Sequence, residues 1–127
     1  MADNSGLDNK TLGERGEEIA VGYLRGQKFT IIARNYRCKS GEVDIVARDG
    51  KTFVFVEVKA RRSLSFGQPQ LAVTPFKQRQ ISKAALTWLA KNRLHDAGAR
   101  FDVIAILLRD HEVPEIEHFR NAFDLAY

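Results

Sequence analysis

Residues 53 to 59 read Phe-Val-Phe-Val-Glu-Val-Lys. In a β-strand, alternation places Phe53, Phe55, Glu57 and Lys59 on one face and Val54, Val56 and Val58 on the other. An acid and a base two positions apart then point the same way at the end of an otherwise apolar strand. Upstream, Gly41-Glu42-Val43-Asp44 opens another run of strand character, and alternation there gives Glu42 and Asp44 a common face. If Asp44 and Glu57 meet across the intervening hairpin, two carboxylates sit side by side. Like charges about 4 Å apart repel by about 4 kcal/mol at an effective dielectric near 20. A raised pKa, a basic partner or a bound cation has to offset that repulsion. Oxygen ligands suit Mg2+, Mn2+ or Ca2+. Magnesium takes one or two carboxylates and leaves its other positions to water and phosphate, so Asp44, Glu57 and the backbone carbonyl of Val58 form a candidate half-shell. Lys59 is then placed to orient an attacking water or to neutralise charge developing on a phosphate.

Glu-X-Lys taken alone also describes an ordinary ion pair at a strand end. Three features favour the metal reading. The acidic strand precedes through a tight hairpin, the arrangement a shared cation needs. The flanking segments are basic, as a phosphate backbone requires. The first helix supplies a further acid: at about 100° per residue, Glu17 lies only about 20° from Leu24, at the border of the buried stripe. Glu14 and Glu18 fall further toward solvent. Glu17 as plain surface decoration fits the spacing equally well.

The elements that must position these residues are legible. Met1 to Asn9 carries no periodicity, and residues 1–10 are expected to form a flexible tail ahead of a single domain over 11–127. Thr11 and Glu14 fit a capping box opening a helix from about Leu12 to Arg25, with Leu12, Gly16, Ile19, Ala20 and Tyr23 as its buried stripe and Gly26 as its stop. Strands are predicted over Phe29–Tyr36, Glu42–Arg48 and Phe53–Lys59, with turns at Ser40-Gly41 and Asp49-Gly50, giving an antiparallel meander. Thr74 caps a second helix with Pro75 at its first position, running to about Arg93, its stripe being Ile81, Ala84, Ala85, Trp88 and Leu89. Phe101 to Leu108 is continuously apolar, the pattern of a strand covered on both faces, and a crossover helix before it favours parallel pairing. Val113 to Tyr127 adds an edge strand and a turn. The order α-β-β-β-α-β is an α/β fold with a mixed sheet.

The 127 residues are 44% hydrophobic and 28% charged, a composition that supports one core without metal or disulfide. With Cys38 as the sole cysteine, no internal disulfide forms. The polar N-terminus lacks a signal-peptide apolar region and no run is long enough to span a membrane, so a cytoplasmic protein without membrane partners is expected. The net charge of +4 favours polyanionic partners weakly. Its distribution says more: Arg34, Arg37 and Lys39; Lys59, Arg61 and Arg62; and Lys77, Arg79 and Lys83 form three clusters near the acidic positions. Solvated faces are the bland reading of all three.

Other residues carry weaker signals. His95, His111 and His118 lack metal-pair spacing and are expected on surface loops. Cys38, between Arg37 and Lys39, has no histidine partner and reads as an inert thiol. Asp102 beside Arg100 fits a structural ion pair as well as a site. Gln78 faces either the site or solvent. The loop from Ser63 to Gln70, with Phe66-Gly67, is a candidate flap near the active edge.

As an ordered set these residues resemble a known group. A helix bearing Glu17, then Gly41-Glu42-Val43-Asp44, then Phe55-Val56-Glu57-Val58-Lys59, is similar to the PD-(D/E)XK nuclease superfamily, and within it to archaeal Holliday-junction resolvases. From about residue 11 to 107 the chain resembles the YraN-like family of uncharacterised bacterial proteins (uncharacterised protein family 0102). Its blocks match Gly13-Glu14-Arg15-Gly16-Glu17, Arg34-Asn35-Tyr36-Arg37, Lys77-Gln78-Arg79 and Arg100-Phe101-Asp102-Val103 besides the two above. One departure is Val43 in place of the proline before the aspartate, a change common in the superfamily. The resemblance implies a restriction-endonuclease-like three-layer fold with Asp44 and Glu57 as Mg2+ or Mn2+ ligands, Lys59 as the catalytic lysine and Glu17 as the helix-borne acid of the resolvases. It implies a metal-dependent nuclease acting on DNA, branched or structured DNA included. Arg34, Arg37, Lys39, Arg61, Arg62, Lys77, Gln78 and Arg79 are the candidate nucleic-acid contacts, and a homodimer is compatible with it. Because some relatives keep the fold for binding alone, a non-catalytic nucleic-acid-binding protein is the second reading. A small partner of a larger DNA-processing machine is the third.

Overall fold

The computed structural model describes residues 10–63 and 73–126. The expected tail at residues 1–9 and most of the expected flap, residues 64–72, lie outside the described residues. Seven elements follow in order: α1 (Leu12–Gly26), β1 (Thr30–Cys38), β2 (Gly41–Asp49), β3 (Thr52–Arg61), α2 (Pro75–Lys91), β4 (Ala99–Leu107) and β5 (Glu115–Phe123). The strands form one sheet in the order β1-β2-β3-β4-β5. Only the β3–β4 pair is parallel; the other three pairs are antiparallel. The predicted meander, the parallel fourth strand and the added edge strand are all present, and boundaries differ from expectation by one or two residues for most elements.

Local chemistry sets the element ends. The Thr11 hydroxyl accepts from Glu14 N–H at 3.1 Å while Glu14 Oε1 accepts from Thr11 N–H at 2.8 Å, closing the capping box of α1. Thr74 accepts from Lys77 N–H at 3.2 Å, and Pro75 occupies the first helical position, where its missing N–H has no cost. The β2–β3 hairpin pairs Asp49 with Thr52, leaving Gly50 and Lys51 as its loop. Gly50 has φ +62°, the left-handed value the first central position of such a loop needs.

Each helix covers one face of the sheet, giving three layers and two cores. Ala20, Val21 and Leu24 of α1 pack on Ile45, Ala47, Val54, Val56, Ile104 and Ile106. On the other face Ile81, Ala84, Ala85, Trp88 and Leu89 of α2 pack on Val43, Val46, Phe55, Phe101 and Val103. β4 is buried from Phe101 to Leu107 because both helical layers cover it. Two glycines allow the close approaches that hold the helices in place. A Cβ at Gly16 would lie 2.7 Å from the Cβ of Ala60, and one at Gly41 only 2.2 Å from the carbonyl oxygen of Gln80 in α2. Among the described residues no helix is long and apolar enough to cross a membrane.

One polar cluster lies inside the α1 face. Asp102 is fully buried on β4, and its Oδ2 lies 2.7 Å from His118 Nε2 while its Oδ1 accepts from Arg100 Nε and from Asn121 N–H, each at 3.0 Å. Burial pushes the Asp102 carboxyl up, but the bonds from His118, Arg100 and Asn121 outweigh it and hold the group below the usual carboxylate range. An ionised Asp102 can only accept, so His118 Nε2 is its donor, and Nδ1 pairs with the Tyr23 hydroxyl of α1 at 3.1 Å. His118 is therefore not on a surface loop: it sits on β5 with its side chain 5% exposed, joining α1 to β4. The expectation failed because spacing between histidines reports only on metal pairs. His95 and His111 are exposed, as expected. Removing the carboxylate strands a buried histidine and part of an arginine. Asp102→Ala should thus cost about 3–5 kcal/mol, and Tyr23→Phe about 1 kcal/mol, both read from urea unfolding midpoints.

Candidate active site

From the hairpin turn, β2 and β3 form a regular ladder that ends at Ile45↔Val56. Two residues on, past the positions of Asp44 and Glu57, Val58 would face Val43; instead its N–H donates to Asp44 Oδ2 at 2.8 Å. The reason is local. Val43 packs in the α2 core but Ile45 in the α1 core, so the side-chain alternation is interrupted at Asp44. Opposite Asp44 in β1, between the pairs Tyr36↔Val43 and Arg34↔Ile45, Asn35 has φ +52°. Asparagine tolerates that left-handed conformation better than most residues. The paired irregularity replaces the simple alternation expected to give Glu42 and Asp44 a common face. It also turns the Asp44 carboxylate into the end-stop of the ladder.

β3 keeps strict alternation. Val54 and Val56 are in the α1 core, with Val58 against it; Phe55 is in the α2 core, with Phe53 against it. Glu57 follows the phenylalanines and is 4% exposed. Its Oε2 lies 3.4 Å from Lys59 Nζ and 3.7 Å from Lys77 Nζ, at the start of α2. Lys77 also reaches Glu42 at 3.9 Å. The N–H and C=O of one strand residue point to the same edge. The Val58 carbonyl is therefore directed toward β2, past the last ladder pair.

Glu57 has lost water, and its carboxyl is pushed up to about 7. Burial is the main cause, followed by the charge of Asp44; a hydrogen bond between the two side chains adds to it, while Lys77 and Lys59 oppose it. The predicted meeting of Asp44 and Glu57 thus occurs, and repulsion between them has the expected consequence. Glu17, half-buried on α1, is raised by its own burial and by Asp44, against a hydrogen bond from Asn35 and the charge of Arg34. It approaches from the α1 side while Glu57 lies on the α2 side, and Asp44 at the interruption senses both. Among the described residues no three His, Cys, Asp or Glu are spaced to hold one ion, so a cation here could have two carboxylates at most, with Val58 O as a further oxygen.

The basic candidates separate. Arg34 and Arg37 border a shallow cleft of about 370 Å3 between α1 and β1, with Glu14, Glu17, Glu18 and Asn35. Arg37 is paired to Glu42 at 3.1 Å. Lys39 and Arg79 are exposed. Arg61 lies beyond Lys59 on β3, and Arg62 meets Asp110 at 3.8 Å on an exposed edge. Gln78 uses its amide to donate to the Val73 carbonyl at 3.0 Å, tying down the chain before α2. Cys38 Sγ contacts the Gly41 carbonyl at 3.5 Å within its own turn. Sequence reasoning placed Lys77 in a basic cluster and among the nucleic-acid contacts but not beside Glu57, and gave Asn35 no role. Asparagine between two arginines in a strand was the available signal for a left-handed position.

The fold and the site together define a small three-layer α/β protein with an acid pair and two lysines where its central ladder opens. The profile of the uncharacterised protein family UPF0102 matches residues 16–106, and the chain belongs to that family. A UPF0102 protein of Geotalea uraniireducens is 69% identical over 127 residues, the whole of both chains. Those of Geotalea daltonii and Geobacter sulfurreducens are 72% and 64% identical, over 94% of this chain and 94% and 93% of theirs.

The raised Glu57 carboxyl gives a pH dependence of known sign. Folded, the group keeps its proton to about pH 7; unfolded, only to about 4.5. Between those values the folded state binds more protons, so stability falls as pH rises through the window and levels off above it, by up to roughly 3 kcal/mol. In EDTA the Tm should be lower at pH 8 than at pH 5.5, and Glu57→Gln should remove most of the difference. An unchanged profile in that variant assigns the titration elsewhere.

Proposed function

We propose that this protein is a metal-dependent nuclease of the PD-(D/E)XK, restriction-endonuclease-like kind. It acts on DNA in the cytoplasm, branched or structured DNA included, by phosphodiester hydrolysis. The observation that carries the reading is the pairing of Asp44 with a buried Glu57 at the point where the ladder opens, with Lys59 3.4 Å from Glu57. Two like carboxylates held together in a desolvated position are a standing cost that a divalent cation removes. All the donors are hard oxygens, the set that Mg2+ and Mn2+ prefer.

In this reading Asp44, Glu57 and the Val58 carbonyl hold Mg2+ or Mn2+, leaving the remaining positions to water and a phosphate oxygen. A bound cation supplies Lewis acidity toward the phosphoryl group and lowers the pKa of its water. Asp44 is steadied for this by the Val58 N–H, so one strand fixes a ligand and offers another. Lys59 lies close enough to Glu57 to hold the attacking water or offset charge on the phosphate, and loading the site frees it from neutralising Glu57. Lys77 exchanges its carboxylate partners for phosphate in the same way. Glu17 borders the site through Asp44 and suits a proton-handling or water-ordering role. Arg34, Arg37 and Lys39 of β1 and its turn, Arg61 and Arg62 at the end of β3, and Arg79 of α2 supply the basic surface. Gln78 contributes by holding the Val73 backbone. A second reading, binding without cleavage, has the same basic surface behind it; the retained Asp44, Glu57 and Lys59 favour cleavage.

The test is cleavage of linear duplex, single-stranded and branched DNA with Mg2+ or Mn2+, comparing wild type with Asp44→Ala and Lys59→Ala. Both variants should lose activity by about 100-fold or more. Activity surviving both substitutions removes the catalytic assignment. Binding without cleavage on every substrate moves the protein to the second reading.

A further inference from the structure

Beside this site α2 carries an aromatic that is exposed among the described residues. Phe76, in the first turn, is 62% exposed. It precedes Lys77, whose ammonium reaches Glu57 at 3.7 Å. At about 100° per residue, Lys83 lies only about 20° from Phe76 around the helix, Gln80 about 40° and Arg79 about 60°. An aromatic ring and two cations, all exposed, therefore share the outward side of one helix. Among the described residues neither Arg79 nor Lys83 has an ion-pair partner.

A lone exposed phenylalanine is ordinary. Its placement is not. Thr74 caps the turn that bears it, and Gln80, one turn on, is locked against the β1–β2 turn by the approach that only a glycine at 41 permits. The ring thus stands on a rigid support. A cleft of about 230 Å3 between Gln80 and that turn is bordered by Lys39 and by Arg37 with its ion-pair partner Glu42. Phe76 is the residue next to Lys77, the helix cation that reaches Glu57.

We propose that Phe76 is a stacking platform for an unpaired nucleobase of the strand whose phosphate occupies the Glu57–Lys59 site, with Arg79 and Lys83 on flanking phosphates. The substrate class is DNA with unpaired bases at the site rather than continuous duplex. This rests on reading the site as one for nucleic acid and adds which form it takes. Bases in a duplex are already stacked on both faces, so an exposed ring gains from them only where a base is free.

The full chain in EDTA, where no cleavage occurs, is titrated with a fluorescent single-stranded oligonucleotide and with the same sequence as duplex. Phe76→Ala should weaken single-strand binding about 5- to 150-fold and change duplex binding less than about twofold. Phe76→Trp should retain affinity, and its added indole emission should be quenched by the single strand. Matching melting temperatures for the three proteins exclude a folding defect. Unchanged single-strand affinity in Phe76→Ala overturns the proposal, as does equal loss on both forms that Phe76→Trp fails to restore. If wild type also cuts duplex in an Asp44-dependent way under either of those outcomes, only this inference falls. If wild type binds neither form, the nucleic-acid reading falls with it.

Discussion

The hydrogen bond from Val58 N–H to Asp44 Oδ2 is the contact on which the arrangement of the site turns. A ladder that continued in the same register would pair Asp44 with Glu57 and then Val43 with Val58, keeping the two strands closed through this point. The side chain instead takes the donor that the neighbouring backbone would have taken. The Val58 N–H is not orphaned, and the strands can separate there without the usual penalty for leaving a ladder. The cost is met in backbone conformation at Asn35, the residue opposite, which takes a left-handed φ of +52°. That exchange leaves the Val58 carbonyl aimed past the ladder, with Asp44 acting on both Glu57 and Glu17.

Glu57 shows what the opening is for. Its side chain is nearly as buried as that of Val56 beside it, yet it is placed against another carboxylate and only partly offset by two lysines at 3.4 and 3.7 Å. A group serving stability alone would be better replaced by a hydrophobic residue, because a buried charge seldom repays its desolvation. Holding it near neutrality, with a pKa raised to about 7, keeps the site poised between a protonated apo form and a charged form that needs a cation.

Most of the scaffold was legible because it rests on period and punctuation. Phe53 to Lys59 alternates without interruption, so the shared side of Glu57 and Lys59 followed from the strand geometry alone. Thr11 with Glu14, and Thr74 with Pro75, marked both helix starts correctly. The interruption at Asp44 was not legible, since Val43 and Ile45 look alike to a rule of alternation and part only when two cores compete for them. His118 was missed for a related reason. Its partners Tyr23 and Asp102 lie 95 and 16 residues away, and only the topology brings α1, β4 and β5 together. Lys77 was visible as charge but not as a neighbour of Glu57, a contact fixed by how Gly41 seats α2.

The sheet carries two buried carboxylates, and the contrast between them separates structure from chemistry. Asp102 accepts from an arginine, a histidine and a backbone N–H, and its carboxyl is held down despite its burial. Every acceptor position is engaged, nothing is gained by adding a ligand, and the cluster pins three elements. Glu57 has comparable burial but a like-charged neighbour, and its carboxyl is held up. Satisfaction in one and frustration in the other arise on adjacent strands of the same sheet, so neither reflects a general looseness of packing. Frustration that a small, hard cation would relieve, at the one place where the ladder opens, is a sounder guide to function here than the presence of acids as such.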